Sequence, residues 1–130
     1  MTVKFETAVG RAIARDPRFS ADAYFFLRDA LDATIKSQQK GRSRDQTHVN
    51  GRELCEGFRD YAIALYGPMV PAVMEGWGLT ESRNVGEMVF NLIEAGAFSK
   101  SDTDQVEDFV DIYSFHDAFV APFLPVAARA

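Results

Sequence analysis

Apolar residues recur at helical spacing near the start of the chain and predict two helices. The first helix ends before Pro17, because a proline disfavours the helical conformation for the residue before it. Ser20 is predicted to cap the second helix, since its hydroxyl can accept from a free backbone N–H. Each helix shows one apolar stripe. The stripes comprise Phe5, Ala8, Val9, Ala12 and Ile13, and then Ala23, Tyr24, Leu27, Ala30, Leu31 and Thr34.

The middle of the chain predicts three further helices with marked ends. Asn50 and Glu53 fit the start of a third helix as a capping box, and Gly67–Pro68 ends it. Gly78 ends a short fourth helix, and Thr80 or Ser82 caps a fifth. Their apolar faces are Leu54, Phe58, Tyr61, Ala62 and Leu65, then Val70, Val73, Met74 and Trp77, then Val85, Met88, Val89, Leu92 and Ile93.

After Gly96 the pattern changes from a helical period to an alternating one. Residues 97–100 suit a short strand, and residues 101–104 suit a turn rich in Ser and Asp. Residues 109–115 alternate and are rich in aromatic and β-branched side chains, which favours a second strand. The sequence therefore predicts an acidic β-hairpin, followed by a helical turn at 117–120 and an extended tail.

The order of these elements predicts a mainly α protein, strictly α+β with a small hairpin. Residues 1–36 form an N-terminal helical pair, which is too short to fold alone. A basic loop (37–47) joins it to a winged-helix-like three-helix unit (48–120), whose first small strand would be Thr47-His48-Val49. With a tail at 121–130, residues 1–130 are interpreted as a single domain.

Charge is distributed unevenly along the chain. Residues 1–60 carry eleven Lys and Arg against nine Asp and Glu, whereas residues 61–130 carry three against ten. The C-terminal half would repel a phosphate backbone, which is bound by Lys and Arg.

The cellular compartment is predicted from what the sequence lacks. The N-terminus does not match a signal peptide, and no apolar run has the roughly 18 residues that a membrane-spanning helix needs. Cys55 is the single cysteine, so the chain cannot form an internal disulfide. We therefore expect a cytoplasmic protein in a reducing compartment, with no membrane partner.

Several segments together resemble an uncharacterised bacterial family, largely restricted to Planctomycetes and Verrucomicrobia. The segments that carry the resemblance are Asp16-Pro17-Arg18-Phe19, Ala23-Tyr24, His48–Leu54, Trp77-Gly78, Gly86–Leu92, Asp108-Phe109 and Tyr113-Ser114-Phe115. The resemblance covers about residues 5–120. It implies a cytoplasmic bacterial protein, and it transfers no catalytic or binding residue to this chain.

The sequence assigns no catalytic, cofactor-binding or metal-ligating residue. His48, Cys55 and His116 do not show the spacing of a ligand pair. Five hairpin acids are calcium-like in composition, but with Asp102 as the first ligand the EF-hand positions for Gly and Glu hold Glu107 and Tyr113. The alternative, a solvated hairpin whose charges discourage edge pairing, is favoured. The five acids are Asp102, Asp104, Glu107, Asp108 and Asp111.

Nucleic-acid binding is the alternative function that the winged-helix order suggests. The predicted recognition helix, from Thr80 to Gly96, carries Arg83 against three glutamates, and the predicted wing is acidic. Contact with nucleic acid would therefore depend on the basic loop, for which a solvated linker is the simpler interpretation. Its basic residues are Lys36, Lys40, Arg42 and Arg44.

A non-enzymatic protein-interaction or adaptor module is the function that the sequence favours. Trp77 and Phe90 are the candidate partner-binding residues, because exposed aromatic side chains anchor interfaces. Phe90 falls outside the apolar stripe of the fifth helix. Burial within their own chain is the competing interpretation for both. A weaker alternative is an enzyme that uses two carboxylates in a cleft between helices, one of them with a raised pKa.

Overall fold

The computed structural model describes residues 4–39, 49–98 and 105–125, and these parts of the chain are mainly helical. The α-helices are α1 (Phe5–Arg15), α2 (Ala21–Gln39), α3 (Gly51–Tyr66), α4 (Val70–Trp77) and α5 (Arg83–Glu94). All five helices predicted from the apolar stripes are confirmed. Because α2 continues to Gln39, the first residues of the predicted basic loop (37–47) are helical.

Local side-chain chemistry sets two of the helix ends as predicted. The Asn50 side chain accepts from the Glu53 amide at 2.8 Å, and the Asn50 amide donates to the Glu53 carboxylate at 3.1 Å. This capping box satisfies free N–H groups in the first turn of α3. At the end of α4, Gly78 has a φ of +86°, a left-handed conformation that favours glycine.

The predicted capping of α5 by a Ser82 or Thr80 side chain is wrong. The Asn84 carboxamide oxygen instead accepts from the backbone amides of Thr80 and Glu81, at 2.8 and 3.0 Å. Ser82 points the other way, because its hydroxyl donates to the Phe109 carbonyl at 2.6 Å and accepts from the Ile112 amide at 3.2 Å. Ser82 therefore ties the segment after residue 105 to the start of α5.

The core forms where α2 packs along α3 and α5 packs against α1 and residues 106–109. Residues 116–120 lie against α4. The burial of these apolar side chains is the main stabilising contribution. The largest fully buried side chains are Tyr24, Phe19, Phe58, Phe119, Leu27, Met74, Leu79, Met88 and Leu92.

The predicted C-terminal β-hairpin and the winged-helix-like arrangement are not supported by the structure. Residues 97–98 are a bend at the end of α5, where both amides donate to the Leu92 carbonyl, and residues 99–104 lie outside the described ranges. Val106–Phe109 is a 3-10 helix, and Asp111 has a φ of +54°, which turns the chain. The described parts of the chain thus contain no strand, and Thr47 and His48 lie outside them.

The chain after Ser114 is helical in irregular form. His116–Val120 is a π-helix and Ala121–Phe123 is a 3-10 helix. This agrees with the helical turn predicted at 117–120, and it replaces the start of the predicted extended tail. Residues 126–130 of that tail lie outside the described ranges. In the ranges that are described, no helix combines the length and the apolar character needed to cross a membrane.

Candidate partner-binding surface

Trp77 lies at the last position of α4, where the chain turns back through Gly78. Its backbone carbonyl accepts from the Ser20 amide at 3.2 Å, which ties this corner to the start of α2. The indole itself is half-buried and packs on the core. Trp77 is therefore held firmly by its backbone, while part of its ring stays accessible.

An aromatic cluster surrounds the Trp77 side chain. The Phe26 ring lies 5.1 Å from the Trp77 ring and 5.9 Å from the Tyr66 ring, centroid to centroid. Tyr66 and Trp77 meet edge to face, at 5.9 Å and an interplanar angle of 81°. Such perpendicular pairs place the positive edge of one ring against the negative face of the other. The Phe58 ring also meets the Phe26 ring edge to face, with 4.9 Å between the two ring centroids.

The cluster opens onto a surface cavity of about 440 Å³ between α2 and the α3–α4 corner. We call this cavity the aromatic groove. The lining residues are Asp22, Phe25, Phe26, Asp29, Leu65, Tyr66, Val73 and Trp77. Leu65 is 55% exposed, although the sequence placed it on the apolar face of α3, and Met69 in the adjoining 3-10 turn is 62% exposed. Leu65 thus faces solvent in the groove, and Met69 faces solvent in the turn that follows Tyr66.

Phe90, the second residue predicted to bind a partner, does not line the aromatic groove. It projects from α5, is half-buried and packs against the core. The two predicted residues are therefore not brought together in one groove. Tyr66, Phe26 and Leu65, which do line it with Trp77, were not predicted as partner-binding residues, although Tyr66 beside the helix-ending Gly67–Pro68 was a signal of a corner position.

The alternative nucleic-acid residues fall mostly outside the described ranges. Lys36 is exposed in the last turn of α2. Lys40, Arg42 and Arg44 lie in residues 40–48, which the structure does not describe. The basic loop as a nucleic-acid contact therefore stays a prediction.

Three of the five candidate cation ligands lie in the described chain, and each is exposed. Asp108 accepts from the Gln105 amide at 2.9 Å and so caps a 3-10 helix, while Asp111 occupies the turn. Asp102 and Asp104 lie outside the described ranges. Within these ranges, no three His, Cys, Asp or Glu side chains group closely enough to hold a metal ion.

Cys55 is fully buried in α3, and burial raises the pKa of its thiol to about 12. The thiol therefore remains protonated at neutral pH, whereas a nucleophilic or metal-binding cysteine needs the thiolate. Its sulfur lies 3.9 Å from the Ser82 carbonyl. Next to it, the Tyr113 hydroxyl donates to the Cys55 carbonyl at 2.7 Å. These contacts give Cys55 a place in the packing of the core.

A polar network that sequence reasoning missed joins the α1–α2 turn to α5. The Arg18 guanidinium donates to both carboxylate oxygens of Asp16, at 2.9 and 2.8 Å, and to Glu87 at 3.1 Å. The Asn91 amide nitrogen donates to Asp16 at 3.1 Å and to the Tyr24 hydroxyl at 3.0 Å. A bidentate Arg–carboxylate pair fixes geometry more strongly than a single contact. The Asp-Pro-Arg-Phe and Ala-Tyr segments named above therefore meet the fifth helix through this network.

We expect the Asp16 network to make stability depend on acid pH. Hydrogen bonds from Arg18 hold the pKa of Asp16 well below its usual value, so the folded state favours the carboxylate. This contribution is complete above the unfolded pKa near 3.8 and is lost as pH falls toward the folded pKa. Asp16→Asn should cost roughly 1 kcal/mol at pH 7, a modest value because Arg18 is half-exposed to solvent. The loss in free energy of unfolding caused by Asp16→Asn, measured by urea unfolding, should become smaller below about pH 4.

A matched control for Asp16→Asn is Glu94→Gln. Glu94 pairs with Arg15 at 3.3 Å, but both side chains are about 60% exposed. Its replacement should change the free energy of unfolding at pH 7 by less than about 0.5 kcal/mol. Equal effects of the two variants at pH 7, or a cost for Asp16→Asn that does not change with pH, would contradict the prediction.

Comparisons of this chain with protein-family models, with curated proteins and with solved structures gave no match.

Proposed function

We propose that this protein is a non-enzymatic interaction module that binds a partner protein at the aromatic groove. The observation that carries the proposal is the exposure of Leu65 in a groove that the half-buried Trp77 also lines, with Met69 exposed in the turn that follows Tyr66. Most large apolar side chains of the described chain are packed into the core, so an exposed leucine that lines an aromatic cavity is informative. Interface hot spots are enriched in Trp and Tyr, both of which line this groove.

The rigidity of the groove supports the same proposal. Trp77 and Tyr66 are fixed by ring contacts to Phe26, whose own side chain is buried. Aromatic side chains held in place lose little conformational entropy on binding, which favours affinity. Groove and exposed rim thus combine a fixed anchor with adaptable neighbours.

The two alternative functions receive less support from the described residues. An enzyme that uses paired carboxylates needs one acid with a raised pKa, but the pKa of Asp16, which shares Arg18 with Glu87, is lowered. For nucleic acid, Lys36 is the one proposed contact within the described ranges, and the groove itself is flanked by Asp22 and Asp29.

Site-specific photocrosslinking in cells of the source organism tests the proposal. A photoreactive residue at Met69 should crosslink to a partner protein that the same residue at Ala14, an exposed position on α1, does not capture. The captured protein, produced separately, should bind the purified wild-type chain. It should bind a Leu65→Lys variant roughly tenfold or more weakly, because a charge is placed in the buried part of the contact.

Two results would overturn the proposed function. One is the same set of crosslinked proteins from Met69 and Ala14. The other is a captured protein that binds the wild-type chain and the Leu65→Lys variant with equal affinity. Circular dichroism of the variant checks that it is folded, which is expected because Leu65 is already exposed.

A further inference from the structure

The aromatic groove is lined by the two kinds of side chain that attract a cation, aromatic rings and carboxylates. Tyr66, Trp77 and the buried Phe26 all line it, and Tyr66 and Trp77 meet each other edge to face. The faces of such rings carry negative potential, so a cation within about 6 Å of a ring centroid is attracted. Tyr66 and Trp77 are both half-buried, so part of each side chain is accessible to such a cation.

Two carboxylates flank the rings on the α2 side. Asp22 and Asp29 line the groove on one face of α2, on either side of Phe25 and Phe26. Both aspartates are exposed, and Asp29 also lies 3.4 Å from Arg28. The Arg28 guanidinium itself lies over the rings of Phe5 and Phe25. The positive charge of Arg28 offsets part of the negative charge of the two aspartates. The remaining negative charge favours a positively charged occupant of the groove.

Three arginines of the described chain lie over aromatic rings other than Tyr66 and Trp77. Arg18 lies over Phe19, Arg28 over Phe5 and Phe25, and Arg59 over Tyr113. Within the described ranges, no arginine or lysine is placed over Tyr66 or Trp77 in this way. The chain thus uses guanidinium–aromatic packing at several places, including Phe25 at the edge of the groove, and the indole, the best ring for it, also lines the groove.

We propose that the groove binds the guanidinium group of an arginine in a basic, partly apolar segment of the partner protein. This rests on the proposed function, since it names the occupant of the same surface. A planar guanidinium stacks on aromatic faces and pairs with carboxylates in a way that an ammonium group does not. Leu65 and Met69 receive the apolar neighbours of that arginine. A second copy of this chain fits less well, because its net charge of −5 is of the same sign as the groove.

Trp77 is the single tryptophan, so fluorescence excited at a wavelength that tyrosine does not absorb reports on the groove. The probe is N-acetyl-arginine amide, titrated at constant ionic strength. N-acetyl-citrulline amide has nearly the same shape without the charge, and N-acetyl-lysine amide has the charge without the plane. We expect a saturable change in Trp77 emission, with the arginine compound binding about fivefold or more tightly than the citrulline compound and more tightly than the lysine compound.

Two variants keep Trp77 as the fluorescent reporter. One tests the contribution of the Tyr66 ring, and the other tests the negative charge of Asp22. Tyr66→Leu removes a ring, and Asp22→Asn removes a carboxylate, so each should weaken arginine binding about threefold or more. Glu75→Gln is the matched control, because Glu75 is exposed on α4 but lines a different cavity beside His116. It should leave the affinity unchanged.

Each outcome of these titrations decides the assignment. Equal affinities for the arginine and citrulline compounds, or an equal loss in Asp22→Asn and Glu75→Gln, would overturn it. Equal affinities for arginine and lysine would overturn the choice of a guanidinium. If the crosslinked partner binds at Leu65 and Met69 while the arginine compound does not bind, this inference fails and the proposed function stands. If the arginine compound binds but no partner is captured at Met69, the proposed function fails, although the groove still binds a guanidinium.

Discussion

Replacement of Phe58 by alanine is expected to lower the free energy of unfolding by about 3–5 kcal/mol. Phe58 is fully buried in α3, where its ring meets Phe26 of α2 edge to face. Its removal leaves a cavity that the surrounding helices fill incompletely, and a cavity adds its own cost to the lost burial. Urea unfolding followed by far-UV circular dichroism measures the loss.

The same variant should change the aromatic groove. The Phe58 ring supports Phe26 at 4.9 Å, and Phe26 in turn contacts Trp77 at 5.1 Å. Loss of this support lets Phe26 move, so Trp77 emission should shift to longer wavelength in the folded variant. Phe123→Ala, which removes a ring that is 38% exposed, should cost less than about 1 kcal/mol and leave the emission unchanged. A cost for Phe58→Ala no greater than that of the control would contradict the packing described above.

The helices were predictable because residues close together in sequence determine where each helix ends and which of its faces is buried. The Asn50 and Glu53 pair caps α3, and Gly78 ends α4, through backbone groups that lie within a few residues of each side chain. The apolar stripes were correct for the same reason, since an amphipathic helix needs a periodic face to bury. Leu65 is the exception, because it lies on the apolar stripe but lines the open groove beside α2, and sequence does not show where a groove will form.

The predicted hairpin failed because an alternating pattern does not specify a strand without a partner. Phe109, Tyr113 and Phe115 alternate with polar or aliphatic residues, but the positive φ of Asp111 separates them into two directions. Phe109 turns into α5, and Tyr113 reaches the Cys55 carbonyl of α3. Ser82 takes the Phe109 carbonyl and the Ile112 amide, which are groups that a strand would offer to its neighbour. Tertiary hydrogen bonds therefore decided the local structure.

The candidate site was predictable in part. A lone Trp before a helix-ending glycine indicated an anchor at a corner, and Trp77 does line the groove. The groove itself depends on Phe26 and Tyr66, which come from α2 and α3 and meet Trp77 only in the folded chain. Contacts between residues so far apart in sequence leave no periodic signal, and the same holds for the Asp16, Arg18 and Glu87 network.

The glycine of α5 gives the second large expected effect: Gly86→Ala should destabilise the protein by about 1–3 kcal/mol. In the middle of a helix, alanine is ordinarily favoured over glycine by about 1 kcal/mol. A Cβ at position 86, however, would lie 2.5–2.8 Å from three atoms of Phe109, one of which is the Phe109 Cβ. Phe109 is buried and its carbonyl is held by Ser82 at 2.6 Å, so the ring has little freedom to move away. The clash therefore outweighs the gain in helix propensity.

Gly10→Ala provides the matched control with the opposite expected sign. Gly10 lies within α1, and an added Cβ there meets no atom within 4 Å. The substitution should therefore stabilise the protein by about 0.4–1 kcal/mol, since alanine reduces the conformational freedom of the unfolded chain. Thermal and urea unfolding of both variants measures the difference. Stabilisation by Gly86→Ala of the same size as by Gly10→Ala would show that Phe109 does not pack against α5, and would remove the reason why a glycine is needed beside that ring.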